Sequence, residues 1–249
     1  MSARRVVYGV QPVREVLRVH GSSAGPLHLA EPLNPKLEGI ARLADKVGAE
    51  RRRSSRAELD RMTKGGMHQG ALIEAPPLRI QDEDALLQHF DENPAALALC
   101  LDGIMDPQNF GAVVRAAVGI GDAWVVWPEH GSAPLSPATF RASAGAIEHA
   151  SLARVRSLPT LFNALRDLET SVVLLEGSSD TTLDAVDLTG RVALVLGSED
   201  RGAKPASRKA ASVRAKLPMS GKIDSLNASV AAALAIYETC RQRRHISNI

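Results

Sequence analysis

Aromatic residues are scarce: 3% of a 249-residue chain. With so few rings, the core has to be built mainly from Ala, Val, Leu and Ile. Trp124 and Trp127 read as core or interface fillers rather than base-stacking residues. Cysteine is nearly absent, and Cys100 and Cys240 stand far apart. Cys100 lies in the apolar run Ala-Leu-Ala-Leu-Cys-Leu and Cys240 on a predicted helix, so both read as ordinary thiols. No Cys/His spacing resembles a zinc site, and no metal is expected. No apolar run approaches the ~18 residues of a membrane span. The first residues, Met-Ser-Ala-Arg-Arg-Val-Val-Tyr-Gly, lack the apolar stretch of a signal peptide, and a cytoplasmic location follows as the expectation. Neither a Walker loop nor Gly-x-Gly-x-x-Gly is present, which argues against a generic nucleotide-binding enzyme of the doubly wound class.

A hydrophobic fraction of 45% suits a globular protein with a real core. The net charge of +2 hides segregation. Residues 1–80 carry 14 Lys/Arg against 8 Asp/Glu, residues 81–200 carry 6 against 18, and residues 201–249 carry 10 against 2. Two basic ends around an acidic middle suit a protein that meets a polyanion, although solvated surface charge gives the same pattern.

Up to residue 76 the apolar spacing predicts a small α/β unit. Helices are expected over Gly9–Val19, over Lys36–Val47 and after Ser55, which forms a capping box with Glu58. Strands are expected at Pro26–Ala30 and Gly70–Ala75. Pro76-Pro77 ends the unit, and the acidic stretch 77–95 reads as a linker carrying a short helix. From residue 96 to 249, apolar strands alternate with helices. That pattern implies a mainly parallel sheet with helices on both faces, whose ligands bind at the carboxyl ends of the strands.

Three loops follow apolar strands there. The first is Asp106-Pro107-Gln108-Asn109-Phe110-Gly111, with Arg115 one turn on. Pro107 keeps Asp106 out of helix geometry, Asn109 is a candidate cap, and Gly111 bares a helix start that favours anions. Arg115 is the only Lys or Arg between Arg79 and Arg141. Alone, it reads either as a surface arginine paired with a carboxylate or as a cation kept for a ligand. The second loop, Gly197-Ser198-Glu199-Asp200-Arg201-Gly202, has glycines at both ends for close backbone approach; Glu199 suits a ligand contact or a backbone clamp. In the third, Leu217-Pro218-Met219 leads to Ser225-Leu226-Asn227-Ala228-Ser229. Ser225 reads as the cap of the last helix, with Asn227 in its first turn.

Together these loops resemble, in order, spacing and composition, the three signature motifs of the SpoU (TrmH-like) family of knotted RNA 2'-O-ribose methyltransferases. The likeness covers residues 96–244 closely. The front segment, through Val7-Tyr8-Gly9-Val10 and Met67-His68-Gln69-Gly70, is similar to the L30e-like substrate-binding domain of some members, above all those that methylate a guanosine of 23S rRNA. The resemblance implies a trefoil knot near the C-terminus, S-adenosylmethionine as methyl donor, an RNA substrate and a homodimer. It implies cofactor contacts from Gly197, Leu217, Pro218, Met219, Ser225 and Leu226, and a catalytic set of Arg115, Asn109, Glu199 and Asn227. Arg115 is then either the base or, since arginine stays protonated, the stabiliser of the developing alkoxide. Arg51, Arg52, Arg53, Arg56, His68 and Gln69 are expected to meet RNA; His68 and Gln69 read equally well as turn residues. Asp200 departs from the family's usual Gly and adds a negative charge beside the cofactor loop. A tRNA ribose as acceptor, and an inactive RNA-binding assembly factor on the same fold, are the competing readings.

Overall fold

The computed structural model describes residues 4–223 and 225–246. The chain divides into two compact units, residues 1–79 with 135–149, and residues 80–134 with 150–249.

In the first unit, β1 (Arg5–Tyr8), α1 (Val10–His20), β2 (Leu27–Ala30), α2 (Pro35–Val47), β3 (Arg51–Ser54), α3 (Arg56–Thr63) and β4 (Ala71–Ala75) follow one another. Asn34 caps α2 by accepting from the Lys36 and Leu37 amides, and Ser55 caps α3 by accepting from Glu58 N at 3.2 Å, as the capping-box pattern requires. The sheet order is β1-β4-β2-β3. Neither β1 nor β3 was legible in the sequence. The β3 run Arg-Arg-Arg-Ser has no apolar alternation because it is an edge strand with three exposed side chains. Charged edges of this kind also discourage strand addition by another chain.

The second unit opens with α4 (Glu83–Glu92), capped by Asp82, and β5 (Leu97–Asp102). The stretch read as a linker is more than a tether. Leu86 and Phe90 of α4 are fully buried in the core, and Gln81 exchanges backbone hydrogen bonds with Leu152 and Arg154. Next come α5 (Pro107–Ala116), a π-helical turn over Ala117–Gly121, and β6 (Trp124–Pro128). Residues 135–149, with α6 (Pro137–Ala142), then belong to the first unit. Back in the second unit are β7 (Leu152–Val155), α7 (Leu158–Asp167), β8 (Ser171–Leu175), β9 (Val192–Gly197), α8 (Pro205–Ala210), β10 (Val213–Ala215) and α9 (Ala228–Ile246).

These strands form a parallel sheet in the order β10-β8-β9-β5-β6-β7. All six residues of β5 are buried, because both faces of a parallel sheet are covered. On one face Ala98, Cys100, Val126, Ala193 and Val195 pack with Phe90, Leu161 and Phe162. Trp127 is buried and meets the Phe110 ring edge-on at 5.2 Å, as a core filler does. The chain runs outward from β5 through β6 to β7, then returns on the other side of β5 with β8 and β9. The strand order therefore reverses between β5 and β9, the position where such sheets leave a crevice. Register places Asp102, the last residue of β5, opposite Gly197, the last of β9.

Candidate active site

The loops that start from Asp102 and Gly197 meet the start of α9 in one hydrogen-bonded cluster. The Oε1 atom of Glu199 accepts from Asn109 Nδ2 at 3.0 Å, from Asn227 Nδ2 at 2.8 Å and from the Ala228 amide at 3.1 Å. Asn227 Nδ2 also donates to Asn109 Oδ1 at 2.9 Å. A carboxylate that collects three N–H donors fixes two loops and a helix end in one geometry, and charge-assisted bonds are the stronger kind.

Two caps differ from expectation. Asp106 caps α5, accepting from Gln108 N at 3.0 Å, with Pro107 in the first turn. Asp106 sits just ahead of Pro107, where the backbone is extended and the side chain can fold back. Asn109 is thereby one turn in and free to reach Glu199. At the last helix, Asn227 and not Ser225 caps: its Oδ1 accepts from Ser229 N at 2.9 Å, and Ala231 N donates to Asn227 O at 3.0 Å. The asparagine that looked out of place in a first turn is the helix start itself.

A cavity of about 200 Å³ lies on one side of this cluster, lined by Gly197, Ser198, Glu199, Leu217, Met219, Ser225 and Leu226 among others. Pro218 does not line it. Missing from the sequence reading were Leu174, Leu175, Glu176 and Gly177, where β8 ends. The strand-end rule was the signal: β8 neighbours β9, so its exit loop opens on the same crevice. Leucines and Met219 make apolar walls suited to a purine and to the carbon chain flanking a sulfonium; Glu176, Ser198 and Ser225 supply a polar rim suited to hydroxyls and an ammonium. The residues thus fit S-adenosylmethionine. Gly197 is required by the chain path: a Cβ there would fall on the backbone of Gly202 and Ala203.

On the other side of the same loop a wider cavity of about 630 Å³ is lined by Asp102, Met105, Asn109, Glu199, Asp200 and Lys204, with others. Glu199 therefore faces both cavities. Asp200 lines the wider one and not the narrower, so its extra charge lies away from the methyl-donor walls. Arg115 lines neither. It is exposed on α5, in a shallow groove of about 420 Å³ shared with Ser229, Val230 and Leu234 of α9. No carboxylate pairs with it among the described residues, which removes the plain surface-ion-pair reading.

In the first unit, Arg51, Arg52, Arg53 and Arg56 are exposed. Arg51 pairs with Asp45, Arg52 with Glu50 and Arg53 with Glu31, at 2.9, 2.8 and 3.1 Å; such exposed pairs hold weakly and open readily. His68 is different. It is buried, its Nε2 lies 3.0 Å from Asp60 Oδ1, and its Nδ1 accepts from Gly70 N at 3.0 Å. Gln69 Oε1 accepts from Val10 N at 3.0 Å, serving the start of α1. The His68 side chain is thus engaged within the turn, and the Gln69 carboxamide oxygen at the start of α1.

A parallel sheet with a ligand cavity at its switch point, and a clustered Asn-Glu-Asn set between two cavities, define a ligand-binding α/β domain, which follows a small α/β unit along the chain. The profile of the SpoU rRNA methylase family matches residues 96–237, and that of the RNA 2'-O ribose methyltransferase substrate-binding domain matches residues 6–81. The chain belongs to the SpoU rRNA methylase family and is an RNA methyltransferase; S-adenosylmethionine is the methyl donor of that family. An uncharacterised tRNA/rRNA methyltransferase of Mycobacterium avium (strain 104) is 37% identical over 241 residues, 96% of this chain and 77% of that protein. Among solved structures, an RNA 2'-O ribose methyltransferase superposes with a TM-score of 0.76 at 26% identity, covering 97% of this chain and 90% of its own. The SpoU methyltransferase AviRb of Streptomyces viridochromogenes, in complex with AdoMet, has a TM-score of 0.77 at 22% identity, covering 98% and 92%.

Proposed function

We propose that this protein methylates the ribose 2'-hydroxyl of a guanosine in 23S rRNA, acting in the cytoplasm as a homodimer. The observation that carries the reading is the placement of Glu199 between a narrow cavity walled by leucines and Met219 and a wide one whose lining includes Asp106, Asn109 and Lys204. The narrow cavity holds S-adenosylmethionine against Gly197, Leu217, Met219, Ser225 and Leu226, and the wide one admits the acceptor nucleotide. Bound there, the cofactor supplies an electrophilic methyl on a sulfonium. Glu199 locks Asn109 and Asn227 so that both amides keep a fixed direction at the junction, which is how alignment lowers a displacement barrier. Arg115 lines neither cavity of its own chain; on the α5–α9 face proposed below for the dimer it would reach an acceptor held by the other protomer and stabilise the alkoxide as the 2'-hydroxyl proton passes to water.

Dimerisation is supported by the face that carries Arg115. Val230, Leu234 and Tyr237 of α9 are exposed at 46%, 44% and 55%. They recur at i, i+4 and i+7, on one stripe of the helix. Contiguous apolar surface of this kind marks an interaction site. An rRNA substrate is supported by the matched rRNA methylase family, and residues 6–81 match an RNA substrate-binding domain. The exposed Arg51, Arg52, Arg53 and Arg56 suit phosphate contacts there, which position RNA without reading its sequence.

The test is transfer of a tritiated methyl to unmodified 23S rRNA and tRNA transcripts, with the modified ribose mapped by resistance to alkaline cleavage. Labelling of a 23S guanosine is expected. Labelling of tRNA alone would replace the substrate, and cofactor binding without transfer to any RNA would favour the inactive assembly factor.

A further inference from the structure

Beyond the wide acceptor cavity, the carboxyl ends of the strands carry one more. Asp102 and Lys204 line both, and the additional cavity, about 180 Å³, is also lined by His130, Arg156, Ser157 and Ser207. Its nitrogen donors arrive from three different strand-end loops: His130 after β6, Arg156 after β7 and Lys204 after β9. His130 and Arg156 come from stretch 81–200, where acids outnumber bases 18 to 6. The one carboxylate is already engaged. Asp102, 1% exposed, accepts from Lys204 N at 2.8 Å through Oδ2, and its Oδ1 lies 3.5 Å from Lys204 Nζ. Asp102 therefore fixes the loop that presents Lys204, and Arg156 and Lys204 together outnumber the one carboxylate in the lining.

Ser207 points to a ligand independently. It is 1% exposed, and its Oγ has no hydrogen-bond partner. Burying an unpaired hydroxyl costs stability, while an apolar side chain of that size would cost nothing. Alanine would also favour the helix more than serine does. Folding alone gives no reason for a hydroxyl here; an acceptor entering the cavity does.

We propose that this cavity is a phosphodiester subsite, taking a backbone phosphate of the RNA next to the nucleotide whose ribose enters the wide cavity. Arg156 and Lys204 donate to the non-bridging oxygens and Ser207 donates from the buried side. The proposal rests on the RNA reading above and adds where the strand continues. Anchoring a phosphate one step from the acceptor holds the ribose in register, since phosphate contacts position and do not discriminate bases.

The test uses the 249-residue protein and an unmodified 23S transcript, following RNA affinity against salt with S-adenosylhomocysteine bound and, separately, turnover with S-adenosylmethionine. Arg156→Gln and Lys204→Gln should each flatten the log–log salt slope by about 0.7–0.9, one phosphate contact's worth, and raise the KM for RNA while cofactor affinity stays unchanged. Ser207→Ala should raise that KM with the slope unchanged and also raise the melting temperature. Arg154→Gln removes an exposed charge from β7 outside the cavity and should leave the slope as it is. An unchanged slope and KM in Arg156→Gln, or an equal loss in Arg154→Gln, would overturn the subsite. Methylation of a tRNA transcript in place of the 23S one would overturn the rRNA reading only, and the same variants on tRNA would still decide the subsite.

Discussion

Arg5 and Glu148 stand 143 residues apart and meet in a two-pronged ion pair, Nη1 to Oε1 at 2.9 Å and Nη2 to Oε2 at 2.7 Å. The Glu148 side chain is 1% exposed and that of Arg5 13%. His20 Nε2 shares the same carboxylate at 3.0 Å, and Arg141 donates to the Tyr8 hydroxyl at 3.3 Å. Buried charge thus ties segment 135–149 into the first unit. Breaking such a pair strands a guanidinium, which costs about 3–5 kcal/mol. Glu148→Ala should lower the melting temperature of that unit by about 12 °C or more, at roughly 4 °C or more per kcal/mol for a unit of this size, and Glu148→Gln by less. Calorimetry with the melting temperature unmoved would show that apolar packing alone holds the segment.

Gly197 tests the cofactor cavity. Its missing Cβ makes room for the backbone at Gly202 and Ala203, and backbone cannot step aside as a side-chain tip can. Gly197→Ala should displace the loop that carries Glu199 and abolish cofactor binding, read by titration calorimetry. Gly190, where nothing lies within 4 Å of an added Cβ, is the control: Gly190→Ala should bind normally. Wild-type affinity in Gly197→Ala would place the cofactor elsewhere.

Arg115 separates binding from chemistry. It lies outside the narrow cavity and in the groove between α5 and α9. Arg115→Ala should therefore bind S-adenosylmethionine as the wild type does and lose methyl transfer by about 10² or more, the scale of a lost oxyanion donor. Arg115→Lys keeps the charge but not the planar fork and should recover part of the rate. Substantial turnover in Arg115→Ala would remove it from the reaction.

What the sequence disclosed and what it hid follow from range. Helices α1, α2 and α3 announce themselves by apolar spacing, and α3 also by Ser55 at its start, because helix signals are local. Strand β5 is equally plain, since both its faces are buried and every residue is apolar up to Asp102. The Arg-rich β3 was illegible, because an edge strand needs no apolar face. Segment 135–149 has ordinary helix signals but a partner 143 residues away in Arg5, and no window along the chain contains that contact. At the site, Asn109, Glu199 and Asn227 were named through resemblance. Their mutual hydrogen bonds depend on the neighbouring of β5 and β9, which only the sheet order reveals. The misplacement of Ser225 as a cap had a local cause: two good capping residues stand two positions apart, and tertiary contact with Glu199 decides between them.

The arginine strand carries a prediction of its own. Arg51, Arg52 and Arg53 each have an acidic neighbour, yet exposed pairs contribute about 0–1 kcal/mol and exchange partners easily. Phosphates of bound RNA would outcompete them. The triple change to Gln should flatten the salt dependence of RNA binding by about 2 in slope, three contacts at roughly 0.7 each, with cofactor affinity untouched. A slope equal to the wild type's would take β3 off the RNA surface.

The two thiols should differ sharply. Cys100 is fully buried in β5, and burial first, then the neighbouring Asp102 charge, pushes its pKa up to about 12. It stays a neutral thiol at any physiological pH, and a neutral thiol is a poor nucleophile. Cys240 is partly exposed on α9, with its Sγ directed at the Ile120 carbonyl at 3.6 Å. At pH 8 a disulfide reagent should therefore titrate one thiol in the native protein and two after unfolding. The same shift sets a pH dependence. An unfolded Cys100 ionises near 9.0, as an ordinary thiol does, while the folded one holds its proton to about 12. Between those values the unfolded chain binds fewer protons than the native one, so stability falls as pH rises from about 9 toward 12 and is unaffected by this group below that window. Denaturation midpoints of the wild type against Cys100→Ala across pH 8–11 would isolate the effect, since the variant should lose the part of the slope that Cys100 contributes. Two fast-reacting thiols in the native state, or parallel pH profiles for the two proteins, would mean that water reaches β5.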